Sequence, residues 1–454
     1  MPLTHTPIAG LRKKIDATSG ALVDIVDQNG DSLGVVSGGG KSRRVPRVFF
    51  SRMGTLDNST LKTFNVGAEA AQHFDAISPI LATTSATSSS YWLVKVSVAS
   101  AWGDGNNSAG TWVQAVNDGN DTAFPLKLAG PGGERTSYTV TRPVALRSVA
   151  RSDGGTMPLV FIRAYSLDTN ASMPCYGNGT GDAGNDDNLL AWASRTTGRR
   201  WAARQQNGDQ LTTPSGFTST TDVSQSPIVG FVYWSRGAVV GLAGCGDSLN
   251  NGQGTVTGEG WAIPLADQLA AQLGIPVEYS NFAWAGQEGV NTTTGSGFYQ
   301  RALDILRDEN VRPDMLMIPC GSFNPISAPL LQAHVDKQST ILRRVLSEAS
   351  TKGTRVMLYT WSPITTAGAA YGTSDALRVA YNAEILAGYP NSAAGARGIG
   401  VADFSAAISG DTVGGMVQIR AGLTDDTIHP NDAGNALFTA TALPVAKQVI
   451  AGVL

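Results

Sequence analysis

The sequence predicts an α/β domain built on a parallel sheet, preceded by a β-rich domain of the sandwich or jelly-roll type. Two observations carry this. After residue 237, short apolar runs alternate with stretches of helical periodicity; before it, β-rich runs are separated by clusters of Gly, Asn and Asp. The length agrees, because 454 residues exceed what one ordinary core accommodates.

In chain order, residues 1–45 read as a hairpin and linker. Leu22 to Val26 and Leu33 to Val36 are valine-rich and flank Asn29-Gly30, a strong hairpin signal, and Ser37-Gly-Gly-Gly-Lys-Ser42 is a flexible composition. The basic clusters Arg12-Lys13-Lys14 and Lys41, Arg43, Arg44, Arg47 read as solvated loop faces. Residues 46–236 read as the β-rich accessory domain. Its strands are expected at Tyr91–Val98, Thr111–Val116, Ser137–Thr141, Leu159–Tyr165 and Ile228–Trp234, with almost no helical period between them. The acidic and Gly-rich stretch Gly177–Asn188 reads as a loop, because it lacks the ligand order of a calcium-binding EF-hand.

Residues 237–454 form the α/β block. Strands are expected at Ala238–Gly244, Val277–Asn281, Asp314–Cys320, Thr354–Thr360 and Ile399–Phe404. Helices are expected at Trp261–Leu273, Phe298–Glu309, Ala328–Lys352, Asp375–Ala387 and Asp432–Ala451. Repeated β-α units imply parallel strands with right-handed crossovers, and in such sheets ligands collect at the carboxyl ends of the strands.

The tetrapeptide Gly-Asp-Ser-Leu occurs twice, at Gly30–Leu33 and Gly246–Leu249. The first copy lies in the hairpin signal, so Ser32 is expected in a turn. The second ends a buried strand and precedes a helix, a setting that exposes a serine at the rim of a sheet beside free backbone N–H groups. A serine hydroxyl needs a positioned base to become a nucleophile. Of four histidines, His5 lies in the N-terminal tail, His73 lies outside the α/β block and His334 sits on an amphipathic helix. His429 stands in a loop before the last helix, three residues after Asp426, a spacing that lets a carboxylate accept the Nδ1 proton and leave Nε2 to the serine.

These residues resemble the GDSL or SGNH family of serine hydrolases, named for Ser, Gly, Asn and His in four blocks. The blocks correspond to Gly246-Asp-Ser248-Leu249, to Asn281-Phe-Ala-Trp-Ala-Gly286, to Cys320-Gly321-Ser-Phe-Asn324-Pro325 and to Asp426-Thr-Ile-His429-Pro430. The resemblance covers residues 238–454 and implies a flavodoxin-like three-layer fold. It implies catalytic Ser248, Asp426 and His429, and an oxyanion hole from the backbone N–H groups of Ser248 and Gly286 and the Asn324 amide. Gly289 and Asp425 are the rival positions. The third block departs from the family pattern: an extra residue separates Gly321 from Asn324, and Pro325 replaces the usual aspartate. Asn324 is therefore either an oxyanion donor or a turn residue.

The resemblance implies an esterase without cofactor or metal. The substrate expected is an acylated carbohydrate, with acetyl foremost, or another small ester. A short-chain lipase or thioesterase, or a non-catalytic glycan-binding or virion structural protein on a decayed hydrolase fold, are the alternatives. No long apolar lid segment is seen. Six of nine tryptophans precede residue 237 (Trp92, Trp102, Trp112, Trp192, Trp201, Trp234), and each either fills a core or stacks on sugar. A net charge of −3 gives no electrostatic case for nucleic acid. No apolar run reads as an export signal or a membrane span, so no membrane insertion is expected. A β-rich front with an esterase rear also resembles bacteriophage tail-spike enzymes, implying homo-oligomeric or virion assembly. Three cysteines make no disulfide framework; Cys245 and Cys320 read as small buried thiols, with a bridge between them disfavoured.

Overall fold

The computed structural model describes residues 238–255, 260–283, 286–290, 297–324, 331–365, 375–388 and 398–451 of the rear portion. In the front portion it describes residues 4–8, 11–15, 22–26, 32–35, 43–48, 52–56, 61–70, 74–83, 92–101, 112–126, 137–146, 158–167, 173–177, 201–211 and 225–235.

The rear portion holds a five-stranded parallel sheet of β1 (Val240–Gly244), β2 (Val277–Asn281), β3 (Met315–Pro319), β4 (Arg355–Tyr359) and β5 (Ile399–Ala402). Its order is β2-β1-β3-β4-β5, the flavodoxin-like arrangement, in which the sheet reverses direction of growth between β1 and β3. Every residue of β1 and β3 is buried, as expected of central strands covered on both faces.

The helices are α1 (Ala262–Leu273), α2 (Phe298–Arg307), α3 (Gln332–Lys352), α4 (Asp375–Leu386), the short α5 (Phe404–Ile408) and α6 (Asp432–Ile450). Helix α1 buries Ala262, Leu265, Ala266 and Leu269, one stripe at helical spacing. It stops at Gly274, which takes a left-handed φ of 65° and donates its N–H to the Ala270 carbonyl. Helices α1, α5 and α6 share one apolar cluster, in which Trp261 packs edge-on against Tyr359 and Phe404 at 5.4 and 4.8 Å. Helices α2, α3 and α4 contribute to a second cluster, so the sheet is covered on both faces.

Strand β2 matches the sequence reading at both ends, and the other boundaries differ from it by up to four residues, mostly where apolar spacing outruns the hydrogen-bonded element. Helix α3 begins at Gln332 rather than Ala328; residues 325–330 lie outside the described residues. A two-stranded hairpin, β6 (Ser409–Val413) with β7 (Met416–Ile419), was not foreseen. Residues 410–413 are exposed throughout, so β6 shows no alternation of apolar and polar positions to read.

In the front portion, Thr4–Ile8, Leu11–Ile15, Leu22–Val26 and Ser32–Val35 pair as a four-stranded antiparallel sheet. Ser32 opens its strand opposite Val26, rather than lying in the turn, and Arg12 to Lys14 lie on a strand rather than a loop. Two larger antiparallel sheets follow. One runs from Val113–Gln114 through Trp92–Ala101, Leu159–Ser166 and Lys62–Glu69 to Trp201–Asn207; the other runs from Ser137–Val140 through Phe74–Thr83 and Ile228–Ser235 to Arg43–Val48. Apolar residues of both, among them Val96, Ile162, Ile77 and Phe231, belong to the cluster that also contains Phe282 and Phe298 of the rear portion.

The strand Arg43–Val48 corrects a second expectation, since Arg47 is not a solvated loop residue but 3% exposed. It lies against β2: the Val48 N–H donates to Ser280 Oγ at 3.1 Å, and Ser280 Oγ donates to the Pro46 carbonyl at 3.0 Å. Arg47 donates to the Tyr279 carbonyl and pairs with buried Glu278 at 3.7 Å, and the Tyr233 hydroxyl donates to Glu278 at 2.7 Å. Three arginines a few residues from a glycine run look like a solvated linker, and only the partner strand reveals why Arg47 is buried. The expected boundary at residue 45 falls inside this strand. Residues 178–200, with most of the Gly177–Asn188 stretch, lie outside the described residues, as do His73, Trp102 and Trp192. Trp112 is buried beneath the Arg163 guanidinium, 4.0 Å from its ring, and Trp234 is 40% exposed with Arg44 5.8 Å from its ring.

Candidate active site

Strand β1 ends at Gly244, and the chain turns through Cys245-Gly-Asp-Ser248 before reaching α1. This places Ser248 at the carboxyl end of the first strand, beside the β1/β3 point where ligands settle in doubly wound sheets. Ser248 is 6% exposed.

His429 arrives from the opposite end of the domain. It closes the loop before α6, whose first turn is capped by the Asn431 side chain accepting the Gly434 N–H at 3.3 Å. Its Nε2 lies 2.9 Å from Ser248 Oγ and its Nδ1 lies 2.5 Å from Asp426 Oδ2. Asp426 Oδ1 accepts the backbone N–H groups of Ile428 at 3.0 Å and His429 at 2.7 Å. Partial burial would raise the Asp426 carboxyl, but the His429 side chain and these two N–H groups outweigh it and hold it below the usual carboxylate range. Asp425 faces elsewhere, accepting from Asn431 Nδ2 at 3.1 Å. Gly254 fits against this loop only as glycine: its φ is 93°, and a Cβ there would lie 2.8 Å from the His429 Cβ.

The neighbours of Ser248 were not singled out in the sequence. Asp247 is buried, accepts the Leu249 N–H at 3.1 Å and accepts the Ser322 hydroxyl at 2.6 Å. Burial pushes its carboxyl up, against the pull of Ser322, the Leu249 N–H and His429. Ser322 in turn donates its N–H to Gln338 of α3 at 3.0 Å and accepts the Asn324 N–H at 3.2 Å. The third block is thus tied to the serine turn through Ser322 and Asp247, and Asn324, half-buried, sits two residues along it. Gly321 is fixed by packing, because a Cβ there would meet the Trp361 ring at 2.3 Å.

Gly286 is exposed in a turn with φ 74°. Its segment is held by buried Arg301 of α2, which donates to the Phe282 carbonyl at 2.5 Å and to the Gln287 side chain. Gly289 is enclosed by Phe298, Tyr299 and Gln338 side chains. Cys245 and Cys320 are free and buried; their Sγ atoms approach the Phe298 carbonyl and Asn382 Oδ1, and burial pushes both thiols up to about 12. His334 lies on α3, away from these residues in the chain and half-buried. Among the described residues no three His, Cys, Asp or Glu side chains gather to hold a metal ion, and no helix is long and apolar enough to cross a membrane.

A serine at the carboxyl end of a parallel strand, in line with an imidazole and a carboxylate, is the arrangement of acyl-transfer hydrolases. Residues 245–437 match the family model described as the GDSL-like Lipase/Acylhydrolase family, and this part of the chain is a GDSL-like acylhydrolase domain. Among solved structures, the chain is similar to a GDSL-like lipase from Bacteroides thetaiotaomicron, at 16% identity over 47% of this chain and 89% of that one, with a TM-score of 0.34. It is similar to a psychrotrophic esterase from a Pseudoalteromonas species at 17% identity, over 46% and 98% of the two chains, with a TM-score of 0.33. It is also similar to an acetylxylan esterase from Geobacillus stearothermophilus at 19% identity, over 45% and 93%, with a TM-score of 0.32. No curated protein matches the sequence.

Proposed function

We propose that residues 237–454 form a serine esterase that hydrolyses acyl esters, acetyl foremost, on carbohydrate. The observation that carries this reading is the continuous hydrogen-bonded line from Asp426 through His429 to Ser248, at 2.5 and 2.9 Å. In the first step His429 Nε2 takes the Ser248 proton as Oγ bonds to the acyl carbon, and Asp426 stabilises the imidazolium. The tetrahedral oxyanion is met by the N–H groups of Ser248 and Gly286 and by the Asn324 amide. Collapse breaks the ester C–O bond, and the sugar oxygen leaves as a hydroxyl carrying the proton from His429. Water then attacks the acyl-serine with His429 again as base, releasing the acid and restoring Ser248.

The β-rich residues 46–236 serve, in this reading, as a sandwich-like module for glycan binding or attachment to a larger assembly. Trp234, exposed beside Arg44, offers an aromatic face of the kind that stacks on sugar rings. The altered third block, with Pro325 after Asn324, favours a second reading, a non-catalytic glycan-binding or virion protein. The test is acetate release from a panel of acetylated polysaccharides, beside p-nitrophenyl esters of increasing chain length, for wild type and Ser248→Ala. Serine-dependent acetate release supports the carbohydrate esterase. Preference for long acyl chains makes the domain a lipase or thioesterase, and no serine-dependent turnover leaves the binding protein.

A further inference from the structure

We infer that Thr365 is a positioning residue that holds the Asp426–His429 loop in register with Ser248, acting through the backbone of Thr427. The inference rests on the reading of His429 as the base.

Thr427 has a φ of 74°, the left-handed region, which a β-branched residue adopts only at an energetic cost. This turn lets Asp426 reach backwards and forwards at once: Oδ1 takes the N–H groups of Ile428 and His429, while Oδ2 takes His429 Nδ1. A strained conformation persists only where its surroundings over-determine it. Here the Thr427 carbonyl accepts two hydrogen bonds from one residue across the site, the Thr365 N–H at 2.9 Å and the Thr365 hydroxyl at 3.1 Å.

Thr365 lies beyond the carboxyl end of β4, and Trp361, between the two, is clamped by α4. Asn382 accepts the Trp361 N–H at 2.9 Å and donates to the Trp361 carbonyl at 2.8 Å. Arg378, buried and paired with Asp375 at 2.5 Å, donates to the same carbonyl at 2.8 Å. The loop's other restraints come largely from its own surroundings, such as the Asn431 N–H to the Leu423 carbonyl at 2.9 Å and Asn435 Nδ2 to the Pro430 carbonyl at 2.6 Å. Thr365 therefore links the His429 loop to the sheet and α4, so the imidazole and Ser248 are referred to the same rigid frame.

The test uses the full chain. Thr365→Val removes the hydroxyl and keeps the shape; Thr365→Ser keeps the hydroxyl. Thr427→Gly, added to Thr365→Val, lets the backbone hold a positive φ with only the Thr365 N–H left as a tether. Two readouts are taken: kcat and KM on p-nitrophenyl acetate, and the proton NMR titration of His429, assigned among the four histidines by His429→Asn. Asp426, on its own loop, bonds that ring, and Asp247, on the serine turn, interacts with it electrostatically. We expect Thr365→Val to lower kcat about 10-fold with KM changed less than about two-fold, and to move the His429 titration. Thr365→Ser should stay near wild type on both readouts, and Thr427→Gly should restore most of what Thr365→Val loses.

Wild-type turnover and titration in Thr365→Val would overturn the inference, as would an equal loss in Thr365→Ser. Should Thr365→Val not fold, Thr365→Ala is judged by the same criteria. Absence of Ser248-dependent turnover in wild type would instead defeat the esterase reading; the NMR titration then decides this inference alone, a moved titration upholding it and an unmoved one sinking it.

Discussion

His429 and Ser248 stand 181 residues apart in the chain, yet Nε2 and Oγ are 2.9 Å apart. The sheet makes this contact: one residue follows its first strand, and the other precedes the last helix, which packs on the α1 side of the sheet. If this pair is the catalytic one, Ser248→Ala lowers kcat/KM on a short ester by at least about 10⁴-fold, because the nucleophile and base act as a unit. Ser32→Ala, in the other Gly-Asp-Ser-Leu, leaves the rate at wild type. Steady-state assays of the two variants check this, and the reverse ranking would sink it.

Asn324→Ala isolates the oxyanion role assigned to the altered third block. Removing one such donor costs on the order of 10²- to 10³-fold in kcat, with substrate binding little changed. Since Asn324 is tied to the serine turn through Ser322 and Asp247, Ser322→Ala should lower the rate by less than Asn324→Ala. A wild-type kcat for Asn324→Ala would mean that Asn324 serves only the turn before Pro325.

The parallel sheet and its helices were legible because their apolar spacing is intrinsic to each segment: Leu265, Ala266 and Leu269 form a stripe wherever they are read. The meeting of Ser248, Asp426 and His429 was legible because each lies in a short motif with local meaning. Asp247, Ser322, Thr365 and Gln338 were not, because their roles arise only from partners far along the chain. The Thr365 to Thr427 link, spanning 62 residues, has no signature beyond a polar residue after a strand's carboxyl end. Arg47 misled for the same reason, since its partners Glu278 and Tyr279 lie over 230 residues away.

Asp247 gives a pH prediction. Burial raises its carboxyl above the ordinary range, so the folded chain holds that proton more tightly than the unfolded chain. Its contribution to stability is fully present below the unfolded pKa and is lost as pH rises through the folded one. Asp247→Asn never ionises and can keep the contacts to Ser322 and Leu249. Its stability relative to wild type should therefore increase as pH rises above the ordinary carboxylate range, about 4. Urea denaturation at several pH values measures the difference; a flat or falling trend would contradict the sign.

Arg47 and Glu278 supply the last prediction. Their side chains are 4% and 0% exposed, and they join the strand Arg43–Val48 to β2, with Tyr233 also donating to Glu278. Arg47→Met removes the Arg47 cation from beside the buried Glu278 side chain, which costs about 3–5 kcal/mol of stability. Adding Glu278→Gln removes the carboxyl group as well, so the double variant should recover most of the loss rather than add to it. Equilibrium denaturation of the two single variants and the double completes the cycle. Additive losses would show that Arg47 acts through its bond to the Tyr279 carbonyl and its packing, not through Glu278.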